Sequence, residues 1–181
     1  MSAHVLFLLS GSIACYKACT VISRLAQNGV TVQTVATAAA LRFIGPATLE
    51  GLSGRPVFTD VLEPGRALDH IELARAANLA IVCPATANTI NRLAAGLADD
   101  PVGTLFLAWE LKQKPWLIAP AMNAMMWQHP ATTASLEKLR SWGVRLLDPV
   151  DGPHACGEGG PGRLADPEQI AADVLATLGR Q

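Results

Sequence analysis

Hydrophobic residues fall along the chain in two alternating kinds of segment. Short runs rich in branched side chains occupy 5–9, 30–36, 79–83, 116–119 and 144–147. Continuous apolar runs of that length read as strands buried on both faces. Between them, stretches with mixed polar and apolar positions at 14–27, 71–77, 87–97, 102–111, 131–142 and 167–178 read as helices. Gly29 and Gly143 each follow a helix and precede a strand, where a left-handed cap favours glycine. Strands alternating with such helices predict an α/β fold, a doubly wound parallel sheet covered on both faces as a three-layer sandwich. Two connections are longer than linkers need to be: about 54–69, and the glycine-rich 151–166, which reads as a flap.

Composition narrows this picture. A chain of 181 residues accords with one domain over 1–181, at roughly 150 residues per domain. Half of the residues are apolar and 16% charged, which excludes intrinsic disorder and points to surface hidden between subunits as well as in a core. Fourteen basic against fifteen acidic residues leave a formal charge of −1 and no basic run, so nothing here holds a nucleic-acid backbone. The uncharged stretch 115–136 is long enough to span a bilayer but carries Pro115, Pro120, Pro130, Asn123, Gln128 and His129, so no membrane span is expected. No basic segment precedes the first apolar run, and no signal peptide is expected. Cys15, Cys19, Cys83 and Cys156 fit no zinc spacing. The expectation is no metal, reduced thiols and a cytoplasmic location.

In parallel sheets, ligands bind where the strands end. The residues that follow the strands are Ser10-Gly11-Ser12, Thr37, Pro84 to Asn88, and Pro120 to Asn123. They are small or hydroxyl-bearing and almost uncharged, which suits a large planar ligand with a phosphate tail. Ser10 to Ile13 opens a helix and reads either as a phosphate cradle or as a tight turn that needs glycine. The spaced glycines of a dinucleotide fingerprint are missing, and the second strand ends in Thr37 and not in an acid. A mononucleotide such as FMN fits better than NAD. Thr86 and Asn88 cap the next helix or bond a ligand. Asn123, an amide among uncharged neighbours, needs a partner. His70 opens a helix, Cys156 sits in the flap as an accessible thiol or an inert small residue, and Arg163 anchors an anion or pins the loop.

Taken together, Gly11 to Lys17, His70-Ile71-Glu72-Leu73, Pro84 to Thr89, Ala95 to Asp100, Pro120 to Asn123 and Ala155 to Arg163 resemble the flavin-dependent cysteine decarboxylases, in the same order and over nearly the whole chain. The resemblance is strongest to the branch that converts 4′-phosphopantothenoylcysteine to 4′-phosphopantetheine in coenzyme A biosynthesis. It implies a Rossmann/flavodoxin-like domain with FMN held by Ser10, Gly11, Ser12, Ile13, Thr37, Phe43, Ala85, Thr86, Ala87 and Asn88. It implies catalytic roles for His70, Asn123 and Cys156, the last as proton donor, and substrate contacts from Ala121, Met122, Asn123 and Arg163. The implied route oxidises the substrate's cysteine side chain to a thioaldehyde, releases carbon dioxide to leave an enethiolate, and reduces that product again. An uncharged pocket favours loss of a carboxylate. The family implies a homo-oligomer, a trimer or a multiple of trimers, with His70 serving a neighbour's flavin. With no room for a fused synthetase, a phosphopantothenoylcysteine synthetase on a separate chain is a further expected partner. Alternatives are oxidative decarboxylation of a peptide's C-terminal cysteine in antibiotic maturation, and a non-catalytic flavin-binding regulatory subunit. Cys156 argues against the first, because only the reductive half-reaction needs it. His70, Asn123 and Cys156 kept together argue against the second.

Overall fold

The computed structural model describes residues 3–153, 157 and 159–179. Five strands, β1 (His4–Leu9), β2 (Thr31–Ala36), β3 (Leu79–Ala85), β4 (Trp116–Pro120) and β5 (Arg145–Leu146), form one all-parallel sheet in the order β2-β1-β3-β4-β5. The chain runs one way from β1 to β2 and then reverses to β3. That reversal opens a crevice at the carboxyl ends of β1 and β3, the switch point where ligands of such folds sit.

Strand alternation sorts the core into two faces. Val5, Phe7 and Leu9 of β1 pack with Ile81 and Leu117 against α1 (Cys15–Gln27), α2 (Pro46–Ser53) and α8 (Pro167–Thr177). Leu6 and Leu8 pack with Val82 and Ile118 against α3 (Asp69–Ala76), α4 (Ala87–Ala95), α5 (Pro101–Leu107) and α7 (Pro130–Ser141). Because helices cover both faces, every residue of β3 and β4 is buried. The expected three-layer sandwich is present.

The helices begin where their caps say. Thr86 accepts from Thr89 N–H to open α4, Asp100 accepts from Gly103 N–H to open α5, and Asp166 accepts from Glu168 N–H to open α8. Pro101 stands at the first position of α5, where its missing N–H costs nothing. Asn78 accepts from His4 N–H and so joins the starts of β1 and β3. No helix among the described residues is long and apolar enough to cross a membrane.

Several elements lie outside the sequence expectation. One is α2, in the stretch between β2 and the connection 54–69, to which the sequence pattern assigns no element. Another is α6 (Ala124–Gln128), opened by Asn123. A further one is the flap, whose ends pair as an antiparallel hairpin of β6 (Val150–Pro153) and β7 (Gly159–Arg163). The long connection 54–69 is also tied down, since Phe58 bridges Val35 at the edge of β2.

Candidate functional site

At the crevice lies a cavity of about 470 Å³, within the ordinary range for small-molecule sites. The loops after β1, β2 and β3 supply Gly11, Thr37, Ala38, Ala39 and Thr86; α4 adds Asn88, Thr89 and Arg92; Asp100 and Met126 complete the lining. Four of the expected ligand-holding residues, Gly11, Thr37, Thr86 and Asn88, therefore line one space.

The first loop is held open from below. Ser10 is 1% exposed. Its hydroxyl donates to the Pro84 carbonyl at 2.7 Å and accepts from Thr86 N–H at 3.0 Å. It thus binds the loops after β1 and β3 together instead of lining the cavity. Above it, the backbone amides of Gly11, Ser12 and Ile13 donate to nothing among the described residues. Three successive free amides before a helix form an anion-binding concavity. A Cβ on Gly11 would lie 2.7 Å from the Cβ of Ala39, so only glycine lets these two loops close up. Thr37 accepts from Ala40 N–H at 3.1 Å, which shapes the Ala38-Ala39 turn on the opposite wall. Ala85 and Ala87 are buried, while Ile13 is 60% and Phe43 50% exposed, and none of the four is among the cavity's lining residues. Free amides, a missing Cβ and walls of small and hydroxyl-bearing residues, charged only at the paired Arg92 and Asp100, fit the phosphate and ring of FMN.

Arg92, Asp100 and Met126 were not anticipated from sequence. Arg92 follows Asn88 by four positions, so the two share a helix face, and that spacing could have found it. Arg92 pairs with Asp99 and, at 3.9 Å, with Asp100.

The substrate-side residues stand apart from this lining. Asn123 accepts from Met126 N–H at 2.9 Å as the cap of α6, and its side-chain nitrogen has no partner among the described residues. Ala121 is buried and donates its N–H to the Ala85 carbonyl at 2.9 Å. Met122 N–H donates to the Gly162 carbonyl at 2.9 Å, so β7 lies against the Asn123 turn. Gly162 has φ +110, and a Cβ there would come within 2.7 Å of the Met122 carbonyl oxygen and 3.1 Å of the Trp127 Cβ. The Arg163 guanidinium crosses the hairpin over Gly152. His70, half-buried in the first turn of α3, does not line the cavity, and its Nδ1 is buried without a hydrogen-bond partner among the described residues. Cys156 lies outside the described residues. Burial pushes the thiols of Cys15, Cys19 and Cys83 up, which keeps them protonated and unreactive. Among the described residues no group of His, Cys, Asp and Glu could hold a metal.

A fold of this order with this cavity defines a flavin-site α/β protein. The family model described as Flavoprotein matches residues 1–179, and the chain belongs to that family. It is 42% identical over 170 residues to the coenzyme A biosynthesis bifunctional protein CoaBC of Mycolicibacterium smegmatis, covering 94% of this chain and 40% of that protein. The chain thus spans about two-fifths of the length of the curated relatives it matches. Among solved structures, a cysteine-to-serine mutant of PPC decarboxylase complexed with pantothenoylaminoethenethiol superposes with a TM-score of 0.90 at 30% identity, covering 99% of this chain and 100% of that one. The FMN-dependent cysteine decarboxylase SpaF matches at a TM-score of 0.80 and 31% identity, with 97% of both chains covered.

Proposed function

We propose that this chain is an FMN-dependent decarboxylase of 4′-phosphopantothenoylcysteine, acting in coenzyme A biosynthesis and working as one domain over 1–181. The observation that carries this reading is the cavity at the switch point, lined mostly by small and hydroxyl-bearing residues and opening at Gly11, the first of three successive free amides. The likeness to PPC decarboxylase over that protein's whole chain supports it.

In this reading the amides of Gly11, Ser12 and Ile13 hold the FMN phosphate. Thr37, Thr86 and Asn88 bond the ribityl chain and ring edge, and Phe43 covers the rim. Bound FMN supplies two-electron oxidation of the substrate's cysteine side chain and the reverse reduction of the product. Asn123 orients the substrate through its unpartnered side-chain nitrogen, between Ala121 and Met122, with Arg163 and the flap above. His70 handles the proton released when the thiol is oxidised. The uncharged turn Ala121-Met122-Asn123 leaves the carboxylate poorly solvated, which favours loss of carbon dioxide. Cys156 returns a proton as the enethiolate is reduced. His70, which is not among the lining residues of its own chain's cavity, serves in this reading the cavity of a neighbouring copy in a trimer or a multiple of trimers. The synthetase that makes the substrate is the other partner.

The test is the mass of the product formed from phosphopantothenoylcysteine by the FMN-loaded protein. Loss of carbon dioxide alone is expected. Loss of carbon dioxide plus two hydrogens would mean that reduction is absent and would move the assignment to a peptide's C-terminal cysteine. A flavin-loaded protein that forms no product from either substrate would be a regulatory subunit.

A further inference from the structure

The short helix α3 that carries His70 is gripped at both ends. At its start, Arg66 donates to Asp69 at 2.7 Å and to Glu63 at 2.9 Å, with its guanidinium 5.1 Å from the Phe58 ring centre. At its far end, Lys114 reaches across from the connection between α5 and β4. Its ammonium donates to the carbonyls of Ala74 at 2.6 Å, Ala77 at 3.1 Å and Arg75 at 3.2 Å. The last carbonyls of a helix have no partner within it, and a cation there also meets the negative end of the helix dipole.

Lys114 is itself held in place. Its ammonium sits 4.6 Å from the centre of the Trp109 ring, and Trp109 Nε1–H donates to the Lys114 carbonyl at 3.0 Å. Trp109 packs edge-on against Trp116, at 5.6 Å between centres, and Trp116 is the first residue of β4. The same strand ends at the turn that bears Asn123. One lysine thus joins the strand leading to Asn123 with the helix bearing His70.

We infer that Lys114 is a positioning residue for the reaction: by closing the carboxyl end of α3 against the start of β4 it sets the place from which His70 reaches the neighbouring copy's cavity. This rests on the reading of His70 as a catalytic residue. The lever is short and stiff. An eight-residue helix is about 12 Å long, so a tilt of roughly 5° at one end moves the other by about 1 Å. A displacement of about 1 Å in a reacting group costs on the order of a hundredfold in rate.

The experiment uses the FMN-loaded protein with phosphopantothenoylcysteine, comparing Lys114→Met, Lys114→Arg and His70→Asn with the unaltered chain. In Lys114→Met, kcat is expected to fall by about tenfold or more, with KM and flavin absorption unchanged. Amide hydrogen exchange is expected to speed up in α3 but not in α1. Lys114→Arg, which keeps the cation and its donors, is expected to recover most of the lost kcat, and it carries the test if the methionine variant does not fold. Unchanged kcat in Lys114→Met, or a parallel loss of flavin and rise in KM, would overturn the inference while leaving His70 in its role. His70→Asn turning over at the normal rate would remove the catalytic reading of His70, and this inference with it.

Discussion

Ser10 illustrates how a residue's type and its use come apart. As a hydroxyl just past a strand it reads as a ligand contact, yet its oxygen is spent between the Pro84 carbonyl and Thr86 N–H. Removing a buried group that satisfies others costs about 1–3 kcal/mol, because its partners stay unpaired. Ser10→Ala is expected to lower unfolding stability by about that amount and to weaken FMN binding as the two loops part. Chemical denaturation and flavin titration check this; a change within about 0.5 kcal/mol would mean that the loops do not depend on it. Asn123 shows the reverse case. Sequence reading demanded a partner for its amide, and the structure supplies one for the oxygen while leaving the nitrogen open. Arg92 went unread because an arginine on an amphipathic helix is ordinarily a solvated face, and only the fold shows that it borders a cavity.

At the scale of elements, the strands and most helices were legible because hydrophobic periodicity and caps report them directly. Those that escaped had little periodicity to report. The helix α6 is five residues long and owes its start to one asparagine. The strand β7 is mostly glycine, which has no apolar face to alternate. Its position depends on backbone contact, since Met122 N–H meets the Gly162 carbonyl. Gly162→Ala is therefore expected to lift the flap from the Asn123 turn. KM for phosphopantothenoylcysteine should rise by about tenfold, equivalent to about 1.4 kcal/mol of binding, with flavin absorption unchanged. Steady-state kinetics of the holoenzyme would show it; an unaltered KM would mean that the flap does not rest on that contact when substrate is bound.

For the whole molecule, the apolar excess in the composition finds its counterpart on the surface. Leu62 is 84%, Met125 71%, Leu68 68% and Tyr16 63% exposed in the single chain. Large apolar side chains left open in this number suit burial between copies. Analytical ultracentrifugation is expected to give three times 19.0 kDa or a multiple of it. A single species at the mass of one chain would remove the arrangement in which His70 serves a neighbour.

The alternation of branched runs with capped helices determined the layers, the burial of both sheet faces and the loops that follow each strand. It did so because those features are local, written at periods of two and 3.6 residues. The motifs placed Gly11, Thr37, Thr86 and Asn88 at strand ends, and the structure gathers them around one cavity. Only the tertiary structure decided the strand order and the partners of Arg92 and Lys114. Lys114 meets α3 across an interval of 37 to 40 residues. Such a contact exists only after the sheet has set its helices side by side, and no local pattern encodes it.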